Sequence, residues 1–117
     1  MIERKENLEK LIAFKDKQLI KVVTGIRRCG KSTLFEQFQN YLIENCVKQN
    51  QIITINFENA DFEELTDYKV LYDYLKKKLV KNKMTYIFLD EIQNVKDFQK
   101  AVDSLYINKN VDIYNRF

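Results

Sequence analysis

Proline is absent from this chain and glycine occurs only twice, and each scarcity removes possibilities. Without proline, nothing in the 117 residues breaks a helix or a ladder by losing a backbone donor, so regular elements are expected along most of its length. The two glycines are Gly25 and Gly30, which leaves none for a D-x-x-G switch or for the glycine-bearing signature segment of an ABC transporter. A guanine-reading N-K-x-D is missing as well, because Val111 stands where Asn108-Lys109-Asn110 would need an Asp to follow. Two cysteines, Cys29 and Cys46, are too few for a disulfide framework. On one continuous helix they would lie about 25 Å apart at ~1.5 Å per residue, so both are expected as free thiols. Cys29 reads either as a thiol activated by a helix N-terminus or as a small loop filler. No apolar run approaches membrane-spanning length, and the opening Met1-Ile2-Glu3-Arg4-Lys5-Glu6 is charged where a secretion signal is apolar. A cytoplasmic location with no membrane contact is expected. Neither sign of charge dominates: 20 Lys and Arg face 17 Asp and Glu, a net +3 too mild and too interspersed to imply nucleic acid by itself.

What is present points to a packed α/β domain. Hydrophobic residues make up 45% and aromatics 13%, which excludes disorder and predicts one core. Both glycines fall in one nine-residue stretch, Gly25-Ile26-Arg27-Arg28-Cys29-Gly30-Lys31-Ser32-Thr33, which fits G-x-x-x-x-G-K-[ST]. That pattern makes a phosphate-binding loop. A loop running into a helix supplies converging N–H groups and the positive end of the dipole to an anion. Gly30 lets the backbone approach, Lys31 would reach the β- and γ-phosphates, and the Ser32 hydroxyl would ligate Mg²⁺. The flanks agree, since Leu19-Ile20-Lys21-Val22-Val23-Thr24 reads as a strand and Leu34, Phe35, Phe38, Leu42 and Ile43 recur at helical spacing. The helix is expected to fade near Lys48-Gln49-Asn50. A plain turn between strand and helix is the bland alternative.

Residues 1–16 read as a short amphipathic helix with Leu8, Leu11, Ile12 and Phe14 inward, and residues 19–117 as the nucleotide-binding core. The helix's basic positions form a solvated face or a partner-binding arm. Gln51-Ile52-Ile53-Thr54-Ile55-Asn56-Phe57 predicts a second strand. The acids that follow, Glu58, Asp61, Glu63, Glu64 and Asp67, have irregular spacing that suits a solvated loop, with Asn56 or Glu58 facing the nucleotide as the alternative. Thr66 or Asp67 can cap a helix whose buried stripe is Val70, Leu71, Tyr74, Leu75 and Leu79 and whose outer face is Lys76, Lys77, Lys78 and Lys81.

The second chemical signal is Met84-Thr85-Tyr86-Ile87-Phe88-Leu89-Asp90-Glu91, a near-continuous apolar run ending in two carboxylates. Such a run fits a parallel strand buried on both faces, and in an α/β sheet the ligand lies beyond the carboxyl ends of the strands. Asp90 is then expected to hold the Mg²⁺ shell and Glu91 to act as the catalytic base toward water, the Walker B arrangement. A further helix places Phe98, Ala101, Val102 and Leu105 inward, and a strand starts at Asn110-Val111-Asp112-Ile113-Tyr114.

Val23 through Thr33 together with Tyr86-Ile87-Phe88-Leu89-Asp90-Glu91-Ile92-Gln93 resembles the AAA-type ATPases of the AAA_14 family, usually joined to a DUF4143 region. The resemblance runs from about Leu8 to Tyr114. It implies a three-layer P-loop NTPase fold of the ASCE, AAA-like kind, with a mostly parallel sheet ordered 5-1-4-3-2, and ATP with Mg²⁺ as ligand. Family members continue the fourth strand into a segment like Thr-Gly-Ser-Asn that senses the γ-phosphate, whereas here Tyr114 is followed by Asn115-Arg116-Phe117. The chain is therefore expected to be C-terminally truncated, a partial ATPase domain that binds ATP and hydrolyses it weakly. Self-association through an exposed sheet edge is expected of it. The other readings are a non-catalytic interaction or nucleic-acid-binding domain with a relic nucleotide pocket, contacted through Arg27, Arg28 and Lys76 to Lys78, and a small-molecule kinase.

Overall fold

The computed structural model describes residues 12, 13, 15, 21–23, 31–108 and 110–117, with the backbone alone at 21–23 and 31–34. Strands and helices alternate: β1 (Lys21–Val23), α1 (Lys31–Glu44), β2 (Ile52–Asn56), α2 (Tyr68–Lys78), β3 (Thr85–Asp90), α3 (Phe98–Leu105) and β4 (Val111–Arg116). All strand pairs are parallel, in the order β1-β4-β3-β2. This matches the described part of the order that the resemblance implies, with β3, the strand carrying Asp90, in the interior.

The period-two alternation of β3 and β4 builds the layers. Every residue of both strands is buried, as a parallel strand covered on two faces requires. Tyr86, Phe88 and Tyr114 pack against Phe35, Phe38 and Leu42 of α1, while Ile87, Leu89, Val111 and Ile113 pack against Leu71 and Leu75 of α2 and Ala101, Val102 and Leu105 of α3. The result is helix, sheet, helix. The α1 side is aromatic: Phe88 and Tyr114 stack 5.0 Å apart, and Phe38 meets both edge-on, at 5.9 and 4.9 Å. Ile12 leans on this cluster, and the Lys15 ammonium lies 5.7 Å from the Tyr86 ring centroid. Ile12 and Ala13 are helical. The rest of the helix expected over residues 1–16 lies outside the described residues.

Helix ends follow from local hydrogen bonding. At α2 the Asp67 carboxylate accepts the Lys69 N–H at 2.9 Å, the capping expected of it. α1 ends at Glu44, several residues short of the Lys48-Gln49-Asn50 expected from the sequence. Cys46 takes a left-handed conformation at φ 72°, its N–H donating to Ile43 O and the Val47 N–H to Leu42 O. That pair of bonds is a Schellman motif, and Val47 completes it by packing with Leu42. Two further expectations shift. The acidic segment is not a plain loop, since Ala60–Thr66 winds into 3-10 turns with its carboxylates outward. Val70 is 43% exposed and leaves the buried stripe to Leu71 and Leu75. No helix among the described residues is long and apolar enough to cross a membrane.

Candidate functional site

Strand register brings the candidate residues into one line. Val23 pairs with Arg116, Arg116 with Asp90, and Asp90 with Asn56, a single row across the carboxyl edge of the sheet. Neighbouring parallel strands lie about 4.8 Å apart, so the β1 end of the row is about 10 Å from Asp90. β1 ends at Val23, in this row, and the next described residue is Lys31, where α1 begins. Gly25, Ile26, Arg27, Arg28, Cys29 and Gly30 themselves lie outside the described residues. Lys31, Ser32 and Thr33 open α1, where the helix's first backbone N–H groups lack intrahelical acceptors and face an anion well.

Asp90 has a partner that the sequence reading did not supply. Arg116 grips it bidentately, Nε donating to Oδ1 at 3.0 Å and Nη2 to Oδ2 at 2.7 Å. The side chains are 1% exposed for Arg116 and 12% for Asp90, which makes this an ion pair inside the fold. Alternation along β4 turns Arg116, like Tyr114, toward α1, and the guanidinium carbon lies 3.9 Å from the Phe35 ring centroid. Asp90 Oδ1 also accepts the Glu91 N–H at 2.9 Å. Among the described residues, the buried Nη1 of Arg116 has no hydrogen-bond partner. An unmade bond of that kind costs about 1–3 kcal/mol or more.

Glu91 is buried and left-handed, at φ 56° and ψ 42°. Such a conformation in a non-glycine residue costs about 1–3 kcal/mol and recurs at functional sites. The turn swings the backbone out of the sheet into a 3-10 turn at Ile92–Asn94, and Gln93 Nε2 donates to Glu91 Oε2 at 2.6 Å. Asp90 and Glu91 therefore stand at the end of β3 with different partners, one on an arginine and one on an amide. Of the alternatives by β2, Asn56 turns its Oδ1 to the Glu58 N–H at 3.0 Å, a local turn contact.

Mg²⁺, expected on Ser32 and Asp90, meets an obstacle at Asp90. Arg116 occupies both carboxylate oxygens and supplies the compensating charge, so the described residues do not fit the metal at Asp90 unless Arg116 moves away. Among the described residues no cluster of three or more His, Cys, Asp or Glu could hold a metal. The sequence reading carried the fourth strand only through Tyr114, and it is the register that makes Asp90 and Arg116 the paired last residues of their strands.

A family model described as an AAA domain matches residues 17–115. A curated protein of Haemophilus influenzae, described as uncharacterized, is 36% identical over 114 residues, covering 97% of this chain and 28% of its own length. The chain thus spans between a quarter and a third of that relative. Among solved structures, the Drosophila ORC bound to DNA superposes with a TM-score of 0.62 at 10% identity, covering 98% of this chain and 75% of that one. At that identity the likeness shows the fold, which is of the P-loop NTPase kind. With residues 17–115 matched, this chain belongs to the AAA_14 family of AAA domains.

Proposed function

We propose that this chain is the ATP-binding module of an AAA-like ATPase and that it turns ATP over slowly. The observation that supports it best is the row Val23, Arg116, Asp90 at the carboxyl edge of the sheet, with α1 starting at Lys31, eight residues after Val23 in the sequence. In this reading Gly25 through Thr33 cradle the phosphates with their backbone N–H groups, and Lys31 adds a point charge at the β- and γ-phosphates. Glu91 is the base that polarises water, in the place where Gln93 now holds its carboxylate. Ser32 and Asp90 would face Mg²⁺ only after Arg116 has left Asp90.

Slow turnover follows from electrostatics. Phosphoryl transfer spreads charge over the γ-oxygens, and an arginine supplied to that charge is worth roughly 10³ to 10⁵ in rate. Arg116, the only arginine among the described residues, has its charge already met by Asp90, so it stabilises the developing charge of the transition state only weakly. A fluorescent ATP analogue should bind the wild type at micromolar concentration, and Lys31→Ala should weaken it at least about tenfold, the loss of one charge-assisted contact. Turnover should stay below about one per minute, against 1 s⁻¹ or more for an ordinary kinase-like rate. Binding untouched by Lys31→Ala would sink the reading. Fast turnover that Glu91→Gln abolishes would retain the binding half and overturn the slow half.

A further inference from the structure

Arg116 is a buried cation at the carboxylate where a metal was expected, and its geometry is that of a bridge with one end unmade. Nε and Nη2 are spent on the two oxygens of Asp90, at 3.0 and 2.7 Å. Nη1 is buried with no hydrogen-bond partner among the described residues. Phe35, one turn into α1 from Lys31, covers the guanidinium at 3.9 Å, which holds the group on the side of the sheet that carries the loop's helix. A buried N–H donor needs an acceptor, and this one belongs to the backbone row that Arg116 shares with Val23, the last described residue before the proposed phosphate loop.

We infer that Arg116 takes the place of a divalent cation at Asp90: it holds the carboxylate with two donors and offers the third to a phosphate oxygen of a nucleoside triphosphate, so that binding needs no metal. The inference deepens the nucleotide-binding reading and rests on it. Arginine is suited to the exchange because it is charged at every ordinary pH and its planar fork matches both carboxylate and phosphate oxygens. Mg²⁺ demands near-octahedral oxygen ligands and gives up its waters reluctantly, so it competes poorly for a carboxylate already held on both oxygens. Leaving Arg116 in place also explains how Asp90 can be almost wholly buried, since its charge is met inside the fold.

The test compares affinities for a fluorescent ATP analogue in Mg²⁺ and in EDTA, using the whole chain. The wild type should give dissociation constants that agree within about threefold. Arg116→Ala frees Asp90, and its binding should be at least about tenfold tighter in Mg²⁺ than in EDTA, the size of one charge-assisted contact. If that variant does not fold, the pair Asp90→Asn with Arg116→Met removes both charges together. It should bind at least about tenfold more weakly than the wild type in EDTA and stay indifferent to Mg²⁺. Wild-type binding that falls about tenfold or more in EDTA overturns the inference and leaves the nucleotide reading standing. So does a variant, single or paired, that matches the wild type in EDTA. An analogue that binds in neither buffer overturns both.

Discussion

Tyr106, just beyond α3, ties that helix to the middle of β4 through one oxygen. Its hydroxyl accepts the Ile113 N–H at 3.0 Å and donates to the Ile113 carbonyl at 3.3 Å. Burial pushes the phenol from its ordinary 10.0 up to about 12; the backbone bond from Ile113 pulls the other way, and the charge of Asp112 adds to the rise. With the folded value above the unfolded one, the native state keeps a proton between about pH 10 and 12 that the unfolded chain has lost. Stability is therefore undiminished by this group below pH 10 and falls as pH rises through that window. Tyr106→Phe should cost about 1–3 kcal/mol at neutral pH, because the Ile113 N–H loses its acceptor, and should shrink the alkaline loss. Urea midpoints at pH 7, 9 and 11 check this, and an equal drop from 9 to 11 in both proteins would count against it. None of this was legible in the sequence, where Tyr106 is one of seven tyrosines, because the contact joins an irregular turn to a strand face. Asp90 and Glu91 were legible, since two acids closing an apolar run announce a strand end. Arg116 became legible only with the register, which sets it against Asp90 across one strand gap.

Elements were easier to foresee than their ends. The apolar runs around Ile52 and Tyr86 gave their strands to within a residue, because β3, buried on both faces, is almost continuously hydrophobic and β2 alternates Ile53 and Ile55 inward with Thr54 and Asn56 outward. The exposure of Val70 could not be read, because a helix stripe is about a hundred degrees wide and packing against α3 selects Leu71 and Leu75 within it. The stop of α1 was missed because its left-handed C′ position carries Cys46 where glycine is usual. A β-carbon in that conformation costs about 1–2 kcal/mol, and glycine returns about 0.4–1 of it through the freedom of the unfolded chain. Cys46 is exposed, so its thiol takes little packing with it. Cys46→Gly should then stabilise the chain by about 0.5–1 kcal/mol and raise Tm by about 2–4 °C in calorimetry. A lowered Tm would mean that the Schellman turn depends on the cysteine side chain.

At the scale of the whole molecule, helices cover both faces of the sheet, and its open flanks are β1 and β2, the outermost strands among the described residues. An edge with free N–H and C=O groups is a template for another chain unless side chains blunt it. β2 is blunted: Thr54 and Asn56 are exposed there, and Gln39 of α1 reaches over to donate to Thr54 Oγ1 at 2.9 Å. β1 has the opposite character in its sequence, Lys21-Val22-Val23, with two β-branched residues out of three. Its pairing with β4 also puts Val23 in the row of Arg116 and Asp90, so a partner strand added there would lie beside the candidate site. We predict that the chain self-associates through the β1 edge. Sedimentation velocity should show dimers or larger species growing with concentration, and amide exchange at Lys21 to Val23 should slow as they form. A monomer at every concentration, with fast exchange at those amides, would place the adhesive surface elsewhere or show that there is none.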